Sequence, residues 1–211
     1  MKSPLFFMLF VVCLLLVACP CLYAQPQQEV AVSPDYLKDF LPRNSDLTVN
    51  AFIEIPSGTT EKWEFSNKTN TLAIDRVVDY LGYPCNYGMI PQTLLSKDQG
   101  GDGDPLDILV LGPAIERASV VPVQLIGVLQ MTDRGEKDDK IIAVANDSAF
   151  KSIRSIDELN QRFVGVTDIL TAWFSNYKGP GKIVFHGFGT AEEANRLLDI
   201  AQEDYKKSQG N

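Results

Sequence analysis

Asp102-Gly103-Asp104-Pro105-Leu106-Asp107 runs straight into Ile108-Leu109-Val110-Leu111. Three carboxylates fall within six residues, and Gly103 permits the tight backbone while Pro105 stiffens it. They can converge on one point. The apolar run behind them reads as a buried strand, so the charges are rooted at its start, where stray charge is expensive. Carboxylates this close repel one another unless protons or hard cations absorb their charge, and oxygen-only clusters suit Mg²⁺, Mn²⁺ or Ca²⁺. A solvated acidic turn is the competing reading for the hexapeptide alone; the strand that follows argues against it.

Working outward, strand signals dominate the middle of the chain. Phe52-Ile53-Glu54-Ile55 and Lys62-Trp63-Glu64-Phe65 read as a hairpin joined through Pro56-Ser57-Gly58. Further strands are expected over 72–78, 108–111, 120–130, 140–145 and 183–185. Ser155-Ile156-Asp157-Glu158 matches a capping box opening one helix towards Asn176, with Leu159, Phe163, Val166, Leu170 and Phe174 at helical spacing. Thr190-Ala191-Glu192-Glu193 opens a second, C-terminal helix. Many strands followed by two helices predict an α+β domain built on a small barrel or strongly curved sheet.

The 211 residues are 45% hydrophobic and 22% charged, enough for one domain with a sizeable core. Net charge is −8 and no block of Lys or Arg stands out, which argues against nucleic acid and anionic membrane as partners. Lys2 precedes an uncharged, mostly apolar run from Leu5 to Ala24, the pattern of a secretory leader. Two cuts compete. Leu22-Tyr23-Ala24 suits ordinary signal peptidase, whereas Leu16-Val17-Ala18-Cys19 matches a lipobox ending in a lipidated Cys19. An uncleaved leader is the third way to touch a membrane. Cys13, Cys19 and Cys21 lie in the leader region and Cys85 in the body, so a cut after Ala24 leaves no internal disulfide. The expected organisation is a leader over 1–24, an arm over 25–46 and the domain over 47–211.

The remaining chemistry is polar and cationic. Asp133, Asp138 and Lys140 flank a Gly135 turn; Lys62 and Glu64 share a strand face with Trp63 opposite. Arg76 follows Asp75, Tyr83 and Tyr87 sit four apart on a rigid, Pro-containing loop, Tyr83-Pro84-Cys85-Asn86-Tyr87-Gly88, and Tyr177-Lys178 ends the long helix. Each alone is ordinary surface or packing. Together, carboxylates for cations beside Lys, Arg and Tyr donors are what a dense polyanion bridged by metals requires. The single histidine, His186, excludes a multi-His zinc site, and nucleophile elbow, P-loop and dinucleotide fingerprint are absent from the sequence.

These segments, with Gly127-Val128-Leu129, Met131-Thr132-Asp133 and Asp138-Asp139-Lys140, resemble family I soluble inorganic pyrophosphatases of the small bacterial type. The match runs in the family's order over about residues 47–185. The resemblance implies a five-stranded, closed OB-like barrel with flanking helices. It also implies Mg²⁺ dependence, several ions per site with Mn²⁺ as a substitute, and hydrolysis of pyrophosphate to two phosphates. By the same resemblance Asp102, Asp107 and Asp138 hold the tighter metal, with Asp107 bridging to a second. Asp133 and Asp138 hold one that arrives with substrate, and Glu54 and Glu64 are outer ligands. Asp104 takes the proton of the attacking water, Tyr87 lies near the nucleophile, and Lys62, Arg76, Lys140, Tyr177 and Lys178 contact phosphate.

A homo-hexamer is implied too, although Ala172-Trp173-Phe174-Ser175-Asn176 lacks the histidines that several bacterial members use between subunits. Export, to a bacterial periplasm or envelope, is the expected location. A eukaryotic secretory route would make Asn67 and Asn146 glycosylation acceptors. Two other readings stay open: a hydrolase of short polyphosphate or nucleoside polyphosphate, and a non-catalytic Ca²⁺- or pyrophosphate-binding module.

Overall fold

The structure is a computed structural model that describes residues 29–31, 35–66, 68–97, 101 and 103–210. The leader and Asp102 lie outside the described residues. Ten strands and three helices follow in the order β1 (Glu29–Ala31), β2 (Val49–Ile55), β3 (Glu61–Ser66), β4 (Thr71–Val77), β5 (Asn86–Met89), β6 (Asp107–Leu111), β7 (Val120–Asp133), β8 (Glu136–Lys137), β9 (Lys140–Ala145), α1 (Ile156–Arg162), α2 (Val166–Asn176), β10 (Ile183–Gly189) and α3 (Ala191–Ser208). The class is α+β and strand-rich, with a helix at the C-terminal end.

Two sheets carry the chain. In the larger, β10, β7, β2, β5, β6 and β9 are neighbours in that order, and β9 pairs back onto β7. The pairings β7–β2, β2–β5, β5–β6, β6–β9 and β9–β7 thus return to the strand they began from. β6–β9 is the parallel pair. The smaller sheet is β1-β4-β3.

Period-two alternation explains the apolar runs. Ile108, Val110, Ile141 and Ala143 join a core that includes Ala194, Leu198 and Ala201 of α3. Leu109, Leu111, Ile142 and Val144 join another with Leu159 of α1 and Leu170, Trp173 and Phe174 of α2. Strands β6 and β9 are covered on both faces, which is why all six residues of β9 are buried and why β6 is buried from Ile108 on. Gly88 has its own constraint: a Cβ there would collide with the Phe52 carbonyl across the β2–β5 pair.

Four sequence expectations need correction. β2 and β3 do not form a hairpin, because both edges of β2 are taken by β5 and β7 and β3 pairs β4 instead. The single long helix is two: α1 ends at the Phe163 cap, and α2 restarts from Gly165 at φ 90°, a left-handed conformation that favours glycine. Among the described residues there are therefore three helices, not two. At Ser155 only half a capping box forms, since its side chain accepts from the Glu158 N–H while the Glu158 carboxylate turns to the Arg154 N–H. At Thr190 both halves form. Finally, the Tyr83–Gly88 segment, expected as a loop, becomes strand β5 from Asn86 onward.

Candidate active site

Strand starts and ends meet at one mouth. Asp107 opens β6, Lys140 opens β9, Asp133 closes β7, Tyr87 sits in β5, and Lys62 and Glu64 lie on β3. These six, with Asp104, Asp138, Tyr177 and Lys178, line one cavity of about 220 Å³.

The Asp133–Asp138 hairpin shows how local sequence builds this. Asp133 pairs with Glu136 across Arg134 and Gly135, whose φ values of 52° and 90° make the left-handed two-residue turn that suits a twisted ribbon. The adjacent aspartates then divide the work. The Asp138 N–H donates to the Met131 carbonyl at 2.9 Å and its carboxylate faces the cavity, whereas Asp139 accepts from the Met131 N–H at 3.0 Å and closes the hairpin.

Charge is paired at every step. The buried Lys140 ammonium bridges Asp107 and Asp138, the latter at 2.5 Å. Burial works against the Lys140 charge, yet the Asp107 and Asp138 carboxylates outweigh it and raise its pKa. Burial raises the pKa of Asp138, with Lys140 opposing. Lys178 donates to Asp133 at 2.6 Å; burial pulls its pKa down, and Asp133 together with the Tyr177 phenol more than restores it. Lys62 bridges Glu64 and, at 3.2 Å, Asp75, and burial lowers its pKa. Tyr87 lies with the Lys140 ammonium 5.9 Å from its ring centroid, and burial pushes its phenol well above the usual range, so it stays protonated as a donor. Tyr177 stacks on Trp173 at 4.5 Å and 14°, and Trp173 donates its indole N–H to the Leu81 carbonyl at 2.9 Å, which locks the end of α2 against the mouth.

Glu54 is set apart from that cavity. It lines an adjoining one with Glu64, Asp104 and Asp107, and accepts from the Phe65 N–H at 2.8 Å, so it straps β3 over β2 in place of ladder bonds. Burial raises its pKa to about 8, against the Phe65 hydrogen bond. Arg76 also stands outside, in a third cavity with Tyr177 and Lys178, paired to Asp75 at 2.6 Å.

Hard-cation chemistry fits these side chains. The donors are carboxylate oxygens, and Asp133 Oδ1 is buried without a hydrogen-bond partner in the structure, an acceptor aimed where a cation or its water would satisfy it. Among the described residues no group of three carboxylate, thiol or imidazole side chains is gathered on one point. Ammonium groups stand between the carboxylates instead.

Comparison with known proteins decides the family. A sequence profile of the inorganic pyrophosphatase family matches residues 51–206. The inorganic pyrophosphatase of Sulfolobus acidocaldarius is 36% identical over 164 residues, covering 75% of this chain and 92% of that protein. The chain belongs to the inorganic pyrophosphatase family. Among solved structures, the Helicobacter pylori inorganic pyrophosphatase superposes with a TM-score of 0.71 at 31% identity, over 80% of this chain and 99% of that one. The Schistosoma japonicum inorganic pyrophosphatase gives 0.76 at 26% identity, over 82% and 71%.

Within this candidate site, the structure gathers all the candidate residues except three: Glu54 adjoins it, Arg76 flanks it, and Asp102 lies outside the described residues. Sequence reasoning missed Asp75, which joins Lys62 to Arg76 across the β3–β4 pair. The adjacency of Asp75 and Arg76 was visible, but not the register that opposes Lys62 to Arg76. It also missed Glu136 and Lys137, exposed residues of the hairpin that line the same cavity.

Proposed function

We infer that this cavity hydrolyses inorganic pyrophosphate to two orthophosphates. The observation that carries the reading is the joining of Asp104, Asp107, Asp133 and Asp138 with Lys62, Lys140 and Lys178 in one 220 Å³ mouth, carboxylates for cations beside ammonium groups for phosphoryl oxygens. Water attacks one phosphorus as the bridging P–O bond breaks, and the electron pair leaves on the second phosphate. Asp104 accepts the water's proton, as the resemblance implies, from its place on the wall of the mouth. Lys62, Lys140, Lys178 and Tyr177 take the phosphoryl oxygens, Tyr87 donates from a phenol that burial keeps protonated, and Arg76 approaches from the flanking cavity. Mg²⁺, or Mn²⁺ in its place, would be held by Asp102, Asp107, Asp133 and Asp138 with Glu54 and Glu64 further out, and when bound supplies neutralisation of phosphoryl charge and makes water more acidic.

The fuller form of the reading is a five-stranded closed OB-like barrel, supported by the circuit of pairings through β7, β2, β5, β6 and β9. It is an exported homo-oligomer of the small bacterial type, with domain limits of 47–211 behind a leader and arm. The leader sequence supports export to a cell envelope; exposed Val164 and Ile169 beside and on α2 support assembly. Mass spectrometry of the N-terminus after expression with the native leader is expected to show either a chain starting at Gln25 or a lipid on Cys19. An intact Met1 would end the cleavage reading.

The decisive assay is phosphate release from pyrophosphate by the full chain with Mg²⁺ and with chelator. Turnover is expected only with the metal, and Asp104→Asn is expected to lower kcat by about 10²–10⁴-fold without changing melting. A folded protein that binds Mg²⁺ but releases no phosphate would overturn the reading.

A further inference from the structure

The flanking cavity is the feature that pyrophosphate leaves unexplained. It measures about 480 Å³, shares Asp133, Tyr177 and Lys178 with the catalytic mouth, and continues past Arg76 to Arg134 and Lys182. Asp104 lies away from it, on the flank that the catalytic mouth shares with the Glu54 cavity. A phosphoryl group attacked beside Asp104 therefore has its leaving phosphate towards Tyr177 and Lys178, and anything attached to that phosphate points outward.

The outer wall sets Arg76, Arg134 and Lys182 against one carboxylate, Asp79, in a chain whose net charge is −8. Lys178 is matched by Asp133 and Arg76 by Asp75, but among the described residues Arg134 and Lys182 make no ion pair. Both are exposed, and their backbones are fastened together where the Arg134 N–H donates to the Lys182 carbonyl at 2.8 Å. Arg134 occupies the left-handed turn between β7 and β8, and Lys182 immediately precedes β10, whose first residue, Ile183, is in register with Asp133. Two cations that make no ion pair among the described residues are thus tied backbone to backbone in the cavity next to the leaving-group side of the mouth.

We propose that Arg134 and Lys182 seat the third phosphoryl group of an inorganic tripolyphosphate, so that the same site also cuts this longer chain. The proposal rests on the pyrophosphatase reading above. Water forms the new bond to the terminal phosphorus beside Asp104, its proton passes to Asp104, and the bridging P–O electron pair leaves on the remaining pyrophosphate. One orthophosphate and one pyrophosphate result, and the pyrophosphate is itself the next substrate.

The test compares wild type with Arg134→Ala/Lys182→Ala, both as full chains. kcat/KM is measured with Mg²⁺ for pyrophosphate and for tripolyphosphate, and tripolyphosphate affinity is measured by calorimetry in chelator. The double variant is expected to lose about tenfold in kcat/KM and in affinity for tripolyphosphate, while pyrophosphate kcat/KM stays within about twofold. Equal losses on both substrates, or no loss on tripolyphosphate, would overturn the proposal while leaving pyrophosphate hydrolysis standing. Wild type that turns over neither would instead sink the reading on which it rests.

Discussion

The two halves of the mouth are built on different foundations. Asp107, Lys140, Asp138 and Tyr87 stand on or beside strands of the returning circuit, with the Lys140 side chain 4% exposed. Lys62, Glu64, Asp75 and Arg76 stand on the smaller β1-β4-β3 sheet, where the Arg76 and Glu64 side chains are 44% and 55% exposed. The first half is charge held by tertiary packing, and the second is charge held by a strapped hairpin that solvent reaches. The circuit side is packed and ion-paired around Lys140, whereas the hairpin side leaves the long Glu64 and Arg76 side chains in reach of solvent.

The sharpest way to break this comparison is to remove one cation from each half. Lys140→Ala leaves Asp107 and Asp138 facing each other without their shared ammonium, and is expected to cost about 3–5 kcal/mol of stability in chelator. Arg76→Ala is expected to cost less than about 1 kcal/mol, because its partner is half-exposed, and to lower kcat far more than melting. Urea melts of both variants beside initial rates check this, and similar stability losses would erase the distinction.

A smaller effect sharpens the seam between the halves, where Glu54 straps β3. Its carboxyl titrates near 4.5 in an unfolded chain and near 8 in the fold, raised by burial. The folded state therefore binds the proton more tightly. The contribution is full below 4.5 and is lost as pH rises through 8. In chelator, wild-type melting is expected to fall over that interval more than that of Glu54→Gln. Parallel profiles would show that Glu54 is not the group responsible, and Mg²⁺ is expected to flatten the wild-type curve.

Much of this was legible in the residues. Asp102 to Asp107 running into an apolar strand, the Tyr83–Gly88 segment and the Asp133–Lys140 hairpin named the chemistry, because metal and phosphate sites need particular donors at close sequence spacing. Glycine in the Asp133–Lys140 hairpin and the Thr190 capping box marked their turn and helix start, since those preferences act within four residues. What escaped was of longer range. The break at Phe163–Gly165 was masked by apolar spacing that continued across it. The partner of β3 depended on whether the edges of β2 were already occupied.

By itself, then, the sequence determined the class of fold, the kind of substrate, and the identities of most side chains at the mouth, because local propensity and donor chemistry are properties of residues. Only the tertiary structure decided that Asp138 faces the cavity while Asp139 closes the hairpin, that Glu54 straps a strand, and that Arg76, Arg134 and Lys182 share a wall beside Lys178. Those outcomes turn on which strand edges pair and in what register, and strand pairing joins residues far apart in the chain, so no local pattern contains it.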